Sequence, residues 1–164
     1  MISNILIYVD DINHIDDYRK AGVSAFLFGL EGFCVGYNTY SLDKISKIDV
    51  SNKYILLNRV LDCKNIDKLK EIIPNITNIK GLVFEDIGVY NLVKDMNLGI
   101  ELILFQNHFG TNSKSVNFWL DRVDSMFISN EITKDEISTI LDNVSKSVVL
   151  HLYGFNQVMY SRRL

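Results

Sequence analysis

GLVFEDIGVYNLVKDM (residues 81–96) changes its period halfway. Gly81–Glu85 is short and almost wholly apolar, the pattern of a strand covered on both faces. From Val89 to Met96 the apolar residues recur at the spacing of an amphipathic helix. At the junction stand Glu85 and Asp86, and a carboxylate such as Asp86 can accept bonds from the free amides of a helical first turn. The stretch reads as a strand that runs straight into a helix.

The same two beats recur outward in both directions. Strand-like runs lie at Ile5–Val9, Ala25–Leu30, Tyr54–Asn58, Ile100–Phe105, Ser125–Ser129 and Val148–Leu152. Helical periodicity falls between them, at His14–Ala21, Asp67–Ile73, Lys114–Leu120 and Lys134–Val144, with a weaker segment at Leu42–Ile48. Ser41 and Asn65 are placed to cap first turns, and Thr133 with Glu136 has the spacing of a capping box. Pro74 closes the third helix as an ordinary stop. Strands alternating with helices call for a parallel sheet with right-handed crossovers, either open and doubly wound or curled into a barrel, and a spacing of about 20 to 27 residues per unit suits the compact barrel. The expected fold is α/β, an incomplete TIM-type (β/α) barrel of about seven parallel strands with six intervening helices, short of the eight units that close such a barrel. Its open edges would carry unpaired amides and carbonyls, which makes a homo-oligomer one way to cover them.

Bulk properties narrow the function classes. The chain has 164 residues, 48% hydrophobic and 23% charged, with a formal charge of −3, an ordinary globular composition without a bulk basic balance for nucleic acid. A local basic patch could still meet RNA. No run approaches a membrane span, and no basic segment precedes the first apolar run, so no membrane partner is expected and the cytoplasm is the expected compartment. The two cysteines, Cys34 and Cys63, form no CxxC or His/Cys cluster. GxSxG, HExxH and glycine-rich phosphate loops are missing from the sequence. Gly29, Gly32 and Gly36 do not make a GxGxxG and are expected to shape the loop after the second strand.

Parallel α/β folds bind ligands where strands end and loops begin. Those ends carry Asp10 and Asp11, Asn58 and Arg59, Glu85 and Asp86, Gln106, Asn107 and His108, Asn130 and Glu131, and Tyr153. Such residues more often serve as helix caps than as chemistry. Glu85 and Asp86 could nonetheless act as paired acid/base carboxylates or hold a hard divalent metal. His108 sits in a polar loop suited to a general base. His151 alternates with Leu150 and Leu152 and is expected to be a satisfied core histidine. Arg162 and Arg163 could clamp a phosphate or carboxylate.

Five segments in order carry a resemblance: AGVSAFLFGLEGFCVGYNTYSLDKI (21–45), KGLVFEDIGVYNLVKDM (80–96), FGTNSKSVNFWL (109–120), ISNEITKDEI (128–137) and LHLYGFNQVMYSRRL (150–164). Together they resemble the amino-terminal barrel region of the U32 peptidase family, the collagenase-like proteases. Asp86-Ile87-Gly88-Val89 is similar to a D-x-G-V/L motif of that family, and Glu131–Ile137 to its E-L-S-x-E-E-I motif. Gln157 and Leu164 stand where the family signature places cysteines. Relatives acting in RNA or ubiquinone hydroxylation use iron–sulfur clusters on such cysteines, so the resemblance here implies no cluster and points to a cysteine-poor, SRR-type bacterial branch. It implies that residues 1–164 are a single barrel domain, the amino-terminal part of a longer protein.

The activity implied is hydrolysis of peptide bonds in a peptide or protein substrate. Glu85, Asp86, Glu131 and His108 are the candidate catalytic residues. Asn58, Asn107, Asn112, Tyr153, Arg162 and Arg163 are the candidates for substrate binding. The alternatives are an RNA-modification accessory or RNA-binding module, and a non-catalytic fragment that self-associates.

Overall fold

The structure, a computed structural model, describes residues 5–106 and 108–154. Its residues group into two compact units, one running to Ile100 and the other beginning at Glu101.

The first unit follows the alternation read from the sequence. Its strands are β1 (Leu6–Tyr8), β2 (Ala25–Leu30), β3 (Thr39–Tyr40), β4 (Lys53–Leu57) and β5 (Gly81–Phe84). They pair in parallel in the order β1-β2-β4-β5, with β3 beside the end of β2. The helices are α1 (Ile15–Lys20), α2 (Leu42–Ser46), α3 (Cys63–Ile72) and α4 (Ile87–Met96). All residues of β2, β4 and β5 are buried, as two covered faces require. Phe28, Ile55, Leu57, Leu82, Val83 and Phe84 are wholly inaccessible. Lys53 is buried with them at the start of β4. Its ammonium donates to the Ile45 carbonyl at 2.9 Å, at the carbonyl end of α2 where a cation is favourable.

The second unit repeats the rule on a smaller scale. Strands β6 (Glu101–Leu104), β7 (Ser125–Phe127) and β8 (Val148–Val149) pair in parallel in that order. Helices α5 (Ser113–Leu120) and α6 (Lys134–Asp142) connect them. The fold class is α/β, of the incomplete TIM-type (β/α) barrel kind. No helix among the described residues is long and apolar enough to cross a membrane.

Several local expectations hold and others are corrected. Ser41 caps α2 and Asp86 caps α4, while Thr133 and Glu136 form the full capping box of α6. The cap of α3 is Asp62, not Asn65: the Asn65 amide donates to the Asp62 carboxylate at 2.8 Å, so the helix begins four residues before Asp67. Strand β3 was not expected from the sequence. β8 ends at Val149, so His151 lies beyond the strand and is exposed rather than a core residue. Cys34 is buried, Cys63 is exposed, and both are free thiols.

Candidate active site

Loop β6–α5 and the end of β7 supply the pair of residues best arranged for chemistry. His108 Nδ1 stands 3.3 Å from Glu131 Oε1, with the two side chains 37% and 60% exposed. Two backbone features of the second unit hold them there. Ser129 donates its amide to the Gly110 carbonyl at 3.0 Å, which lays the loop along the end of β7. Ser129 Oγ then accepts the Glu131 amide at 3.2 Å. The loop can lie so close because residue 110 is glycine. A Cβ there would meet the Ile128 Cα and the Phe127 carbonyl oxygen, both at 3.0 Å.

A proton on Nδ1 lies toward the carboxylate, and the neutral ring then keeps its lone pair on Nε2. A neutral histidine held in that tautomer can take a proton from water and return it to a leaving group. The carboxylate can fix the ring's orientation. Both groups face solvent, so the attraction between them is screened and its value lies in orientation rather than stability.

A cleft of about 460 Å³ lies entirely within the second unit, and its lining includes Ser129 and Asn130, which precede Glu131 in the chain. Ile128, Ser129 and Asn130 form one wall, Ile137 of α6 another, and Leu150–Gly154 the third. Tyr153 stands at its rim, 98% exposed. Asn112 serves as the cap of α5, its Oδ1 accepting the Ser115 amide at 3.0 Å. Asn107, Arg162 and Arg163 lie outside the described residues.

The remaining candidates belong to the first unit. Asn58 is fully buried, and its side-chain amide both donates to and accepts from the backbone of Val35 at 3.0 Å. Arg59 holds the same loop through the Phe33 and Gly32 carbonyls. Glu85 is 6% exposed, its amide donating to the Leu57 carbonyl. Asp86 accepts the Gly88 amide at 2.7 Å with one oxygen and the Leu61 amide at 2.8 Å with the other.

The loop after β2 folds back on that strand. A Cβ at Gly29 would fall 2.7 Å from the Asn38 carbonyl oxygen, so glycine is required by close approach. Tyr8 donates its hydroxyl to that same carbonyl, and Tyr40 donates to the Asp10 carbonyl at 2.5 Å. Burial, reinforced by Cys34 and neighbouring acidic groups, raises the Tyr8 pKa well above its ordinary value. Burial likewise pushes the Cys34 thiol up to about 12, against the opposing bond from Val35. Both stay protonated at neutral pH.

The thiols do not fit an iron–sulfur cluster. Such a cluster takes about four cysteine thiolates, whereas the chain has two cysteines, one of them buried and protonated. Among the described residues, no three histidine, cysteine or acidic side chains converge in a metal-binding group.

Parallel strands with helical crossovers define a protein of the (β/α) barrel type, and the histidine–carboxylate pair lies past the carboxyl ends of two of its strands. The sequence model of peptidase family U32 matches residues 41–164, most of the chain, and the chain belongs to that family. The matched span includes His108, Glu131, Glu85 and Asp86. No match was found to a curated protein or to a solved structure.

The sequence marked His108 and Glu131 as separate strand-end residues but missed Ser129 and Gly110, which bring them together. A lone glycine in a polar loop was the available signal for Gly110, and nothing local distinguishes Ser129.

Proposed function

We propose that this U32-family chain hydrolyses peptide bonds, with His108 as general base and Glu131 as the residue that orients it. Membership of a peptidase family supports the reaction class. The single observation that carries the residue assignment is the 3.3 Å contact from Nδ1 to the carboxylate, which leaves Nε2 for the reacting water.

In this reading His108 removes a proton from water as the oxygen attacks the scissile carbonyl. The tetrahedral intermediate collapses with cleavage of the C–N bond, and the imidazolium returns the proton to the departing amine. A carboxylic acid and an amine result, with no net proton change at the histidine. Asp86, with both oxygens on backbone amides, is assigned the structural role of cap and loop anchor. Tyr153 is assigned to substrate positioning at the cleft rim.

The test is incubation of the full chain and its His108→Gln variant with a mixed peptide library, reading new termini by mass spectrometry. Cleavage by the wild type that falls at least about a hundredfold in the variant is expected for a general base. Equal cleavage by a folded His108→Gln protein removes the histidine from the mechanism.

A further inference from the structure

Helix α5 buries Val116 and Leu120 and leaves another side uncovered. There Lys114 and Phe118 stand one turn apart, as do Ser115 and Trp119, so two neighbouring rows of side chains run along the helix. With Gln106 and Phe109 from the preceding loop they line a cleft of about 550 Å³, all of it within the second unit. Phe109 is 65% exposed and Phe118 52%. Phe118 and Trp119 meet edge to face with ring centroids 5.4 Å apart. Three aromatic rings gathered at one concavity, two of them open to water, mark apolar surface that a partner is to cover.

Charge narrows the partner. Among the described residues that line the cleft, Lys114 is the one basic side chain and none is acidic. Its ammonium makes no ion pair or hydrogen bond with the described residues. No acidic residue in the first turn of α5 offsets it either. Arg122, one turn beyond Phe118, is already committed: its guanidinium lies over the Phe118 ring at 3.9 Å and donates to the Phe118 carbonyl. The cleft therefore sets one unmatched positive charge beside open rings, in a chain whose net charge is −3. A strand of nucleic acid calls for several cations along its phosphates. One lysine suits one carboxylate.

We infer that this face of α5 docks an acidic peptide segment of a partner protein, with an aromatic side chain seated against Phe109, Phe118 and Trp119 and a neighbouring aspartate or glutamate on Lys114. The inference is independent of the hydrolytic reading.

Trp119 is the only tryptophan of the chain, so its fluorescence reports on the cleft directly. The full chain is titrated with three tryptophan-free peptides, Ac-Ala-Phe-Glu-Ala-NH₂, Ac-Ala-Phe-Lys-Ala-NH₂ and Ac-Ala-Ala-Glu-Ala-NH₂. The Phe-Glu peptide is expected to give a saturable change. Loss of the ring should weaken binding about tenfold, and exchange of glutamate for lysine about fivefold. Lys114→Gln, at an exposed position where folding should survive, is expected to remove the preference for Phe-Glu over Phe-Lys while keeping the response to both. Equal binding of the Phe-Glu and Phe-Lys peptides, or a preference that persists in Lys114→Gln, overturns the acidic partner. A response to a uridine oligonucleotide with none to the peptides, or no saturable change at all, overturns peptide docking on this face.

Discussion

The side chain of Asn58 replaces a strand neighbour for Val35: its Oδ1 accepts the Val35 amide and its Nδ2 donates to the Val35 carbonyl, both at 3.0 Å. Asn58 is completely buried at the end of β4, and Val35 lies in the loop that follows β2. One amide group thus satisfies two backbone groups that would otherwise stop the loop from packing inward. Asn58→Leu preserves approximate volume but leaves both Val35 groups without these bonds. It is expected to lower stability by about 2–3 kcal/mol, read as a fall in the urea midpoint at unchanged slope. Wild-type stability in that variant would assign the loop's anchoring to Arg59 and Tyr40 alone.

Glu131 acts through His108 in the proposed mechanism, so its replacement should have a different signature from loss of the base. Glu131→Gln keeps the size and a hydrogen-bond acceptor while removing the charge. It is expected to reduce kcat about tenfold, a modest loss because the pair is solvent-exposed, with KM little changed. A rise in KM at unchanged kcat would take Glu131 out of the orientation of the base and assign it to binding.

The alternation of strands and helices was legible because β2, β4 and β5 are covered on both faces and hence apolar throughout. Caps at Ser41, Asp86 and Thr133 were equally plain, since their bonds span only a few residues. What escaped depends on contacts between distant segments. β3 is two residues long and exists only because Thr39 and Tyr40 meet Gly29 and Leu30. The α3 cap was misplaced because Asp62 and Asn65 are both polar and three apart, and only geometry shows which accepts and which donates. The alternation that put His151 in the core assumed a strand reaching Leu152, but pairing with β7 stops at Val149. Strand-end position identified His108 and Glu131 as candidates, yet their meeting depends on a glycine whose importance lies in the Cβ it lacks.

Gly110 offers a direct check on how the pair is assembled. Gly110→Ala would force its methyl against the Ile128 Cα and the Phe127 carbonyl oxygen at 3.0 Å, which are backbone atoms with little freedom to yield. The loop should lift from β7 and carry His108 away from Glu131. Peptide cleavage is expected to fall by about 10²-fold, as for a misplacement of the order of an ångström, with helical content by circular dichroism retained. Full activity in Gly110→Ala would mean the loop is free to settle elsewhere without cost.

The cysteines should differ sharply in reactivity. Cys63 is exposed at the start of α3, whereas Cys34 is buried and its thiol is raised from 9.0 to about 12 by burial. The thiolate is the nucleophile, so iodoacetamide at pH 8 is expected to modify Cys63 and spare Cys34 in the native protein, with both modified in urea. Peptide mapping reads this directly. The same shift has a stability consequence: the folded state holds the Cys34 proton more tightly than the unfolded chain. That contribution is complete below pH 9 and is lost as pH rises from about 9 to about 12. Cys34→Ser should flatten the decline over that window. Equal labelling of both native thiols at pH 8 would contradict the burial assigned to Cys34.

Glu136 gives the opposite pH dependence at the other end of the scale. Its carboxylate accepts the Thr133 amide at 2.7 Å and the Thr133 hydroxyl at 2.8 Å, and these bonds hold its pKa below the ordinary value of 4.5. The folded state therefore favours the ionised form. Its contribution is present above about pH 4.5 and is lost as pH falls through the depressed folded value. Glu136→Gln should retain part of the capping box but lose this acid-dependent component, so its thermal midpoint should fall less steeply than wild type below pH 4.5. Thr133→Ala removes the reciprocal bond and is expected to cost about 1 kcal/mol even at neutral pH. Parallel acid profiles for wild type and Glu136→Gln would show that the ionised carboxylate adds nothing to the start of α6.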